Sequence, residues 1–223
     1  MQNNTFFHHF CPNNVIVIDE VTSTNDYLKN LLTKVKPLAP FTVIMAKAQT
    51  AGKGQRGSVW KSDPNKNLTA SYLLYPDNLS ITKQFLLTIV SSLAVYDAVE
   101  EYCPNNVAIK WPNDILIKNK KIGGILIENK IAGQQIKNSI VGIGINVLQR
   151  EFPEDILHKT TSLFLESTHS DISIMNLALT IQHHLEKYQK ISEIDYLSLL
   201  NLYNQRLYNR GVSSKYQYEG YDV

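Results

Sequence analysis

Apolar positions along the chain switch between a period of two and a helical period of about 3.6, and the switches mark out its elements. Val15 to Asp19, VIVID, is a β-branched run of the kind that forms a buried strand. Tyr27, Leu28, Leu31 and Leu32 then recur at helical spacing, preceded by Thr22-Ser23-Thr24-Asn25-Asp26. These short oxygen-bearing side chains either cap the helix or hydrogen-bond a small polar ligand at its N-terminus; capping is the simpler account. Pro37 and Pro40 end that helix, Thr42 to Ala46 gives a second strand, and Leu68 to Tyr75 a third. Ile81 to Tyr102 carries Phe85, Ile89, Leu93 and Val99 at helical spacing, with Pro104 as its stop. A short strand from Val107 to Trp111 follows. Ile115 to Ile117 and Lys121 to Glu128 then read as a hairpin around Lys118-Asn119-Lys120, and Gln134 to Val147 as a longer strand. Thr160-Thr161-Ser162-Leu163 reads as a polar turn, with helices over Ile174 to Tyr188 and Tyr196 to Leu207. The tail, GVSSKYQYEGYDV, starts like a strand of a further small β unit.

Composition narrows the partners. The 223 residues are 43% hydrophobic and 19% charged, as in an ordinary soluble globular protein. A formal charge of +2 is too small for general attraction to nucleic acid or to a membrane surface, so any polyanion binding must be local. Cys11 and Cys103 have no metal or disulfide spacing and fit a reducing cytoplasm. The N-terminus, MQNNTFFHHFCPNN, lacks the basic start and apolar run of a secretory signal, and no apolar stretch reaches the ~18 residues that a membrane span needs. His8 and His9 have no carboxylate or thiol at ligand spacing and read as solvated surface.

The candidate chemistry collects in five places. Gln49 to Trp60, QTAGKGQRGSVW, puts Gly52, Gly54 and Gly57, the cations Lys53 and Arg56, and the indole of Trp60 into a segment that suits neither helix nor strand. Such a loop brings backbone N–H groups close to an anion, with Trp60 as a stacking face; a flexible basic turn is the plain alternative. Ser23-Thr24-Asn25 is the second place. In Lys110-Trp111-Pro112-Asn113-Asp114 a strand delivers a cation, a proline-fixed turn, an amide and a carboxylate to one support. Lys121 enters a strand that shows Gly123-Gly124, where a backbone or ligand must approach closely. Gly142, Gly144 and Asn146 share one strand face, which must lie against a ligand or against another strand.

In this order the five pieces resemble the bacterial biotin protein ligases, closely from Val15 to Val147 and weakly in the helices beyond. The resemblance implies an α+β fold, a mixed β-sheet with helices packed on one face, of the class II synthetase-like biotin/lipoate ligase type. It implies two chemical steps: biotin and Mg-ATP give biotinyl-5′-AMP, and a lysine of a biotin carboxyl carrier protein then displaces AMP. Biotin, ATP and Mg²⁺ are thus the small molecules expected, the carrier is the protein partner, and neither nucleic acid nor membrane takes part.

The same resemblance distributes the roles. Ser23 and Thr24 hold the ureido ring with Asn25 beside them, and Gln49, Gly52 and Lys53 line the biotin. Gly54, Arg56 and Gly57 continue the phosphate loop, and Trp60 stacks on adenine. Lys110, Asn113 and Asp114 organise phosphates and the incoming lysine, with Asp114 the metal ligand and a base for that lysine. Lys121 bonds the biotin carboxyl and phosphate oxygens. Gly124, Gly142 and Gly144 form the wall behind the ligand, and Asn146 contacts the adenylate. Residues 1–205 are expected to be the catalytic domain and 206–223 the start of a truncated or missing C-terminal β domain. No helix-turn-helix precedes Val15, so repressor activity is not expected. At Gln55 and Ser58, where many relatives carry arginine, the loop is less cationic. Lipoate or octanoyl transfer on the same fold, or binding without transfer, are the rival readings.

Overall fold

The computed structural model describes residues 9–11, 14–35, 37–213, 217–218 and 221–222. Eight strands, β1 (His9–Cys11), β2 (Val15–Val21), β3 (Val43–Gln49), β4 (Asn67–Leu74), β5 (Val107–Lys110), β6 (Asp114–Ile117), β7 (Lys120–Ala132) and β8 (Gln135–Asn146), form one sheet in the order β1-β2-β3-β4-β8-β7-β6-β5. Every neighbouring pair is antiparallel except β2 and β3. A parallel pair needs a crossover, and here helix α1 (Thr24–Lys34) supplies it. The β6–β7 turn is a tight one, with Lys118 (φ 46°) and Asn119 (φ 70°) in the left-handed region that such hairpins require.

Alternation divides the sheet into two faces. Leu68, Ala70, Tyr72 and Leu74 of β4, with Val141, Ile143 and Ile145 of β8, enter the main core. Helices α2 (Phe85–Glu100), α5 (Ile174–Ile194) and α6 (Tyr196–Gln205) cover that face. α2 packs against the sheet, α5 and α6 at once, which is why its apolar residues run all round instead of forming a stripe. The opposite face holds a smaller apolar cluster, where Leu28 of α1 packs on Ile16, Ile18, Ile44, Leu73 and Ile140. The one-face expectation therefore holds for α2, α5 and α6, while α1 sits on the other face beside the candidate site.

Elements too short for periodicity emerge only here: β1, and the one-turn helices α3 (Glu154–Leu157) and α4 (Leu163–Glu166) around the expected polar turn. Residues 206–208 continue from α6 onto the edge of β5, where Ile109 N–H donates to Arg206 O at 2.9 Å and Tyr208 N–H to Ile109 O at 2.8 Å. Further on, β9 (Gln217–Tyr218) and β10 (Tyr221–Asp222) pair antiparallel as a separate two-stranded sheet. No helix among the described residues is long and apolar enough to cross a membrane.

Candidate active site

The polar face of the sheet carries a cleft of about 370 Å³. Its position follows from the parallel β2–β3 pair. Pairing continues past the strand ends, with Thr50 N–H donating to Val21 O at 3.0 Å and Ala51 N–H to Thr22 O at 2.9 Å. The glycine-rich loop therefore starts beside the N-terminus of α1. The loop closes on itself through Trp60 N–H to Gly52 O at 3.0 Å and Gly54 N–H to Ser58 O at 2.8 Å. Arg56 (φ 53°) and Gly57 (φ 80°) make its turn.

At the α1 end the residues do not cap. Ser23 is the N-cap, but its side chain makes no cap hydrogen bond. Ser23, Thr24 and Asn25 are buried instead, and the capping account gives way to a polar cluster. Gln49 Oε1 accepts from Thr24 N–H at 2.8 Å and lies 3.1 Å from Thr24 Oγ1. Ser71 Oγ lies 2.8 Å from Thr24 Oγ1 and 2.5 Å from Asn25 Oδ1. Asn25 Nδ2 donates to Glu128 Oε2 at 2.7 Å.

The glycines of β8 now have a reason. A Cβ at Gly142 would stand 2.5 Å from Asn25 Oδ1, and one at Gly144 would stand 2.5 Å from Trp60 Cε2. The space of the missing side chains is filled neither by a ligand nor by another strand but by Asn25 and the Trp60 indole. Trp60 Nε1 is buried with no protein hydrogen-bond partner. A buried N–H without an acceptor is costly, and it makes this wall receptive to an acceptor on a ligand.

The opposite end is built by the Pro112-Asn113-Asp114 turn and the start of β7. Ile125 N–H donates to Asn113 O at 2.9 Å and Asn113 Nδ2 to Ile125 O at 3.2 Å, which pins the turn to β7. Asp114 faces Gly124 across the strands and holds Lys121 Nζ at 2.6 Å. A Cβ at Gly124 would stand in ordinary contact with both partners, at 3.6 Å, so the pair by itself does not require glycine there. Lys53 from the loop is also paired, to Asp26 at 2.7 Å, and this bond raises the Lys53 pKa. Each cleft lysine thus carries an internal carboxylate that an entering anion must displace.

The structure brings most of the sequence-derived residues together. Ser23, Thr24, Asn25, Gln49, Lys53, Gly54, Arg56, Trp60, Asn113, Asp114, Lys121, Gly124, Gly142 and Gly144 all line the one cleft. Gly52 and Gly57 line an adjoining hollow of about 500 Å³ under the loop, with Leu126 and Glu128. Two expected residues line neither the cleft nor the hollow. Lys110 is exposed at the end of β5. Asn146 is buried and donates to Thr161 O at 3.0 Å, fixing the segment that borders Lys121. Asp114, the residue expected to hold a metal, is engaged by Lys121, and no group of three or more His, Cys, Asp or Glu among the described residues is placed around it to hold an ion. Ser71 and Glu128 were not visible in sequence as site residues, because each sits inside an ordinary-looking strand.

Residues 17–146 match the biotin/lipoate A/B protein ligase family. The chain is 36% identical over 151 residues to the bifunctional ligase/repressor BirA of Bacillus subtilis, covering 67% of this chain and 46% of that protein. It spans about half the length of the curated relatives it matches. Among solved structures it resembles the biotin protein ligase from Aquifex aeolicus in complex with biotin and ATP, with a TM-score of 0.77 at 30% identity over 95% of this chain and 85% of that one. It also resembles the Leishmania major biotin protein ligase in complex with biotinyl-5-AMP, with a TM-score of 0.73 at 26% identity over 95% and 88% of the two chains.

Proposed function

The chain belongs to the biotin/lipoate A/B protein ligase family and has its class II synthetase-like fold, and from that premise we propose that it activates biotin with ATP to biotinyl-5′-AMP and transfers the biotinyl group to a lysine of a carboxyl carrier protein. The observation that carries this reading is that Lys53 and Lys121, from two turns far apart in sequence, line one cleft whose other end is a cluster of hydrogen-bonding groups. A carboxylate must attack a phosphate of like charge, so cations are needed where the two meet. A neutral ring with polar edges belongs at the Thr24 end. The similar structures in complex with biotin and ATP or with biotinyl-5-AMP support the same pair of substrates.

In the first step a biotin carboxylate oxygen forms a bond to the α-phosphorus as the bond to pyrophosphate breaks. Lys121 turns from Asp114 to the developing charge, Lys53 and Arg56 close over it with the loop, and the Trp60 ring offers a face and an N–H to the adenylate. Mg²⁺ enters as part of the ATP substrate; among the described residues no group of three or more His, Cys, Asp or Glu is placed to hold an ion. In the second step the carrier amine attacks the acyl carbon, AMP leaves, and the new amide nitrogen loses a proton. Asp114, which lines the cleft and is released from Lys121, takes that proton as the base.

The test is to incubate the chain with biotin, Mg-ATP and a carrier domain and to weigh the carrier. A carrier heavier by one biotinyl group on a single lysine, with pyrophosphate released, supports the ligase. Biotin bound without pyrophosphate release or carrier modification contradicts it.

A further inference from the structure

The chain has two tryptophans, and the fold gives them opposite settings. Trp60 lies in the cleft wall over Gly144, with its Nε1 buried. Trp111 stands 62% exposed, and its ring meets no aromatic or cationic side chain among the described residues. One exposed apolar side chain is ordinary on a protein surface, so exposure alone means little. The support of Trp111 adds the rest. Lys110 and Asp114 are partners in the β5–β6 register, and residues 111–113 are the turn between them. Pro112, Asn113 and Asp114 line the cleft, and the bonds between Asn113 and Ile125 hold the turn to β7. The same turn leaves Trp111 outside the lining, next to Lys110, which is exposed and pairs with no carboxylate among the described residues. An indole and a free cation thus stand together at the rim, on the support that carries Asp114. Neither is buried in the core, and neither lines the space that a small molecule would fill.

Biotin and ATP enter the cleft, whereas a folded carrier stays outside it and sends in one lysine. We propose that Trp111 and Lys110 are the contact on which that carrier docks: the indole packs on an apolar residue of the segment bearing the acceptor lysine, and Lys110 pairs with an acidic residue beside it. This rests on the ligase reading above and adds to it the surface that presents the lysine amine to Asp114. The two groups contribute differently. A desolvated aromatic anchor carries binding energy, while a rim cation chiefly speeds encounter with an acidic surface and is screened by salt.

The experiment compares two acceptors of the biotinyl group: the carrier domain, and hydroxylamine, a small amine that attacks the same acyl carbon, releases AMP and needs no docking surface. Trp111→Ala is expected to raise the KM for the carrier about ten- to hundredfold. Hydroxamate formation and pyrophosphate release should stay at the rates of the unaltered chain, and Trp111→Phe should recover most of the carrier KM. Lys110→Ala should raise the carrier KM about threefold at low ionic strength and flatten its dependence on salt. An unmoved carrier KM in Trp111→Ala, or hydroxamate formation lost along with it, overturns the assignment. Should Trp111→Ala not fold, acrylamide quenching of the unaltered chain still decides. With a non-hydrolysable biotinyl-adenylate against Trp60, a carrier whose acceptor lysine is replaced by arginine should shield the remaining, exposed indole. Quenching that the carrier does not change overturns the assignment, and so does shielding that grows with chain concentration before any carrier is added, which gives Trp111 to a second copy. If the unaltered chain makes no hydroxamate and leaves the carrier unmodified, the function proposed above fails and this inference with it; activity on both acceptors with an unmoved carrier KM in Trp111→Ala sinks the inference alone.

Discussion

The two faces of β4 and β8 are built from the same strands and do opposite things. On one, Leu68, Ala70, Tyr72, Leu74, Val141, Ile143 and Ile145 disappear into a continuous core under α2 and α5. On the other, Asn67, Thr69 and Ser71 carry hydrogen bonds, and Gly142 and Gly144 give up side-chain volume so that Asn25 and Trp60 can lie on the sheet. Glycines in a strand interior weaken it. The apolar face offsets that loss, so one face can be spent on binding because the other holds the fold.

The comparison makes its largest claim at the apolar face. Leu93 of α2 is fully buried in the main core. Leu93→Ala is expected to lower the unfolding free energy by about 3–5 kcal/mol in urea titration, with the folded fraction still forming adenylate at close to the normal rate. Lys121→Ala should do the reverse, cutting pyrophosphate release on the order of 10²–10³-fold with little change in melting. A Lys121→Ala protein that makes adenylate almost normally would break the comparison. Gly144→Ala sharpens it: the added methyl would stand 2.5 Å from Trp60 Cε2, so the indole must move. Nucleotide affinity should weaken by about 1 kcal/mol, the lower end of aromatic–base stacking, with a change in tryptophan fluorescence.

The smallest effect is one of pH. Tyr188 is buried against α2, and burial, then its bond to Asp97, pushes the phenol from its ordinary 10.0 up to about 12. A folded-state pKa above the unfolded one means the contribution is whole below pH 10 and is lost as pH climbs toward about 12. Stability should fall across that window, and less steeply in Tyr188→Phe, while biotin affinity at neutral pH stays unchanged.

The sequence was legible where local rules suffice. Val15 to Asp19 and Leu68 to Tyr75 announce strands through β-branching and alternation, and Lys110 to Asp114 and the Gly52 loop announce themselves through residue types that ordinary elements avoid. Local rules fail for Ser23 to Asn25, which look like caps and are held by Gln49, Ser71 and Glu128. Those partners are set by sheet register, Ser71 opposite Gly142 and Glu128 opposite Ile140, and register is a long-range property. Asn146 shows the converse. It shares a strand face with Gly142 and Gly144, yet sits beyond the cleft, tied to Thr161.

The most direct measurement is a crystal structure of the chain with a non-hydrolysable biotinyl-adenylate. The account expects Lys121 Nζ swung from Asp114, Lys53 Nζ swung from Asp26, both within hydrogen-bonding distance of the phosphate or acyl oxygens, and the ureido N–H on Thr24 Oγ1. An adenylate lodged elsewhere, or held in the cleft with both lysines still on their carboxylates, would contradict it.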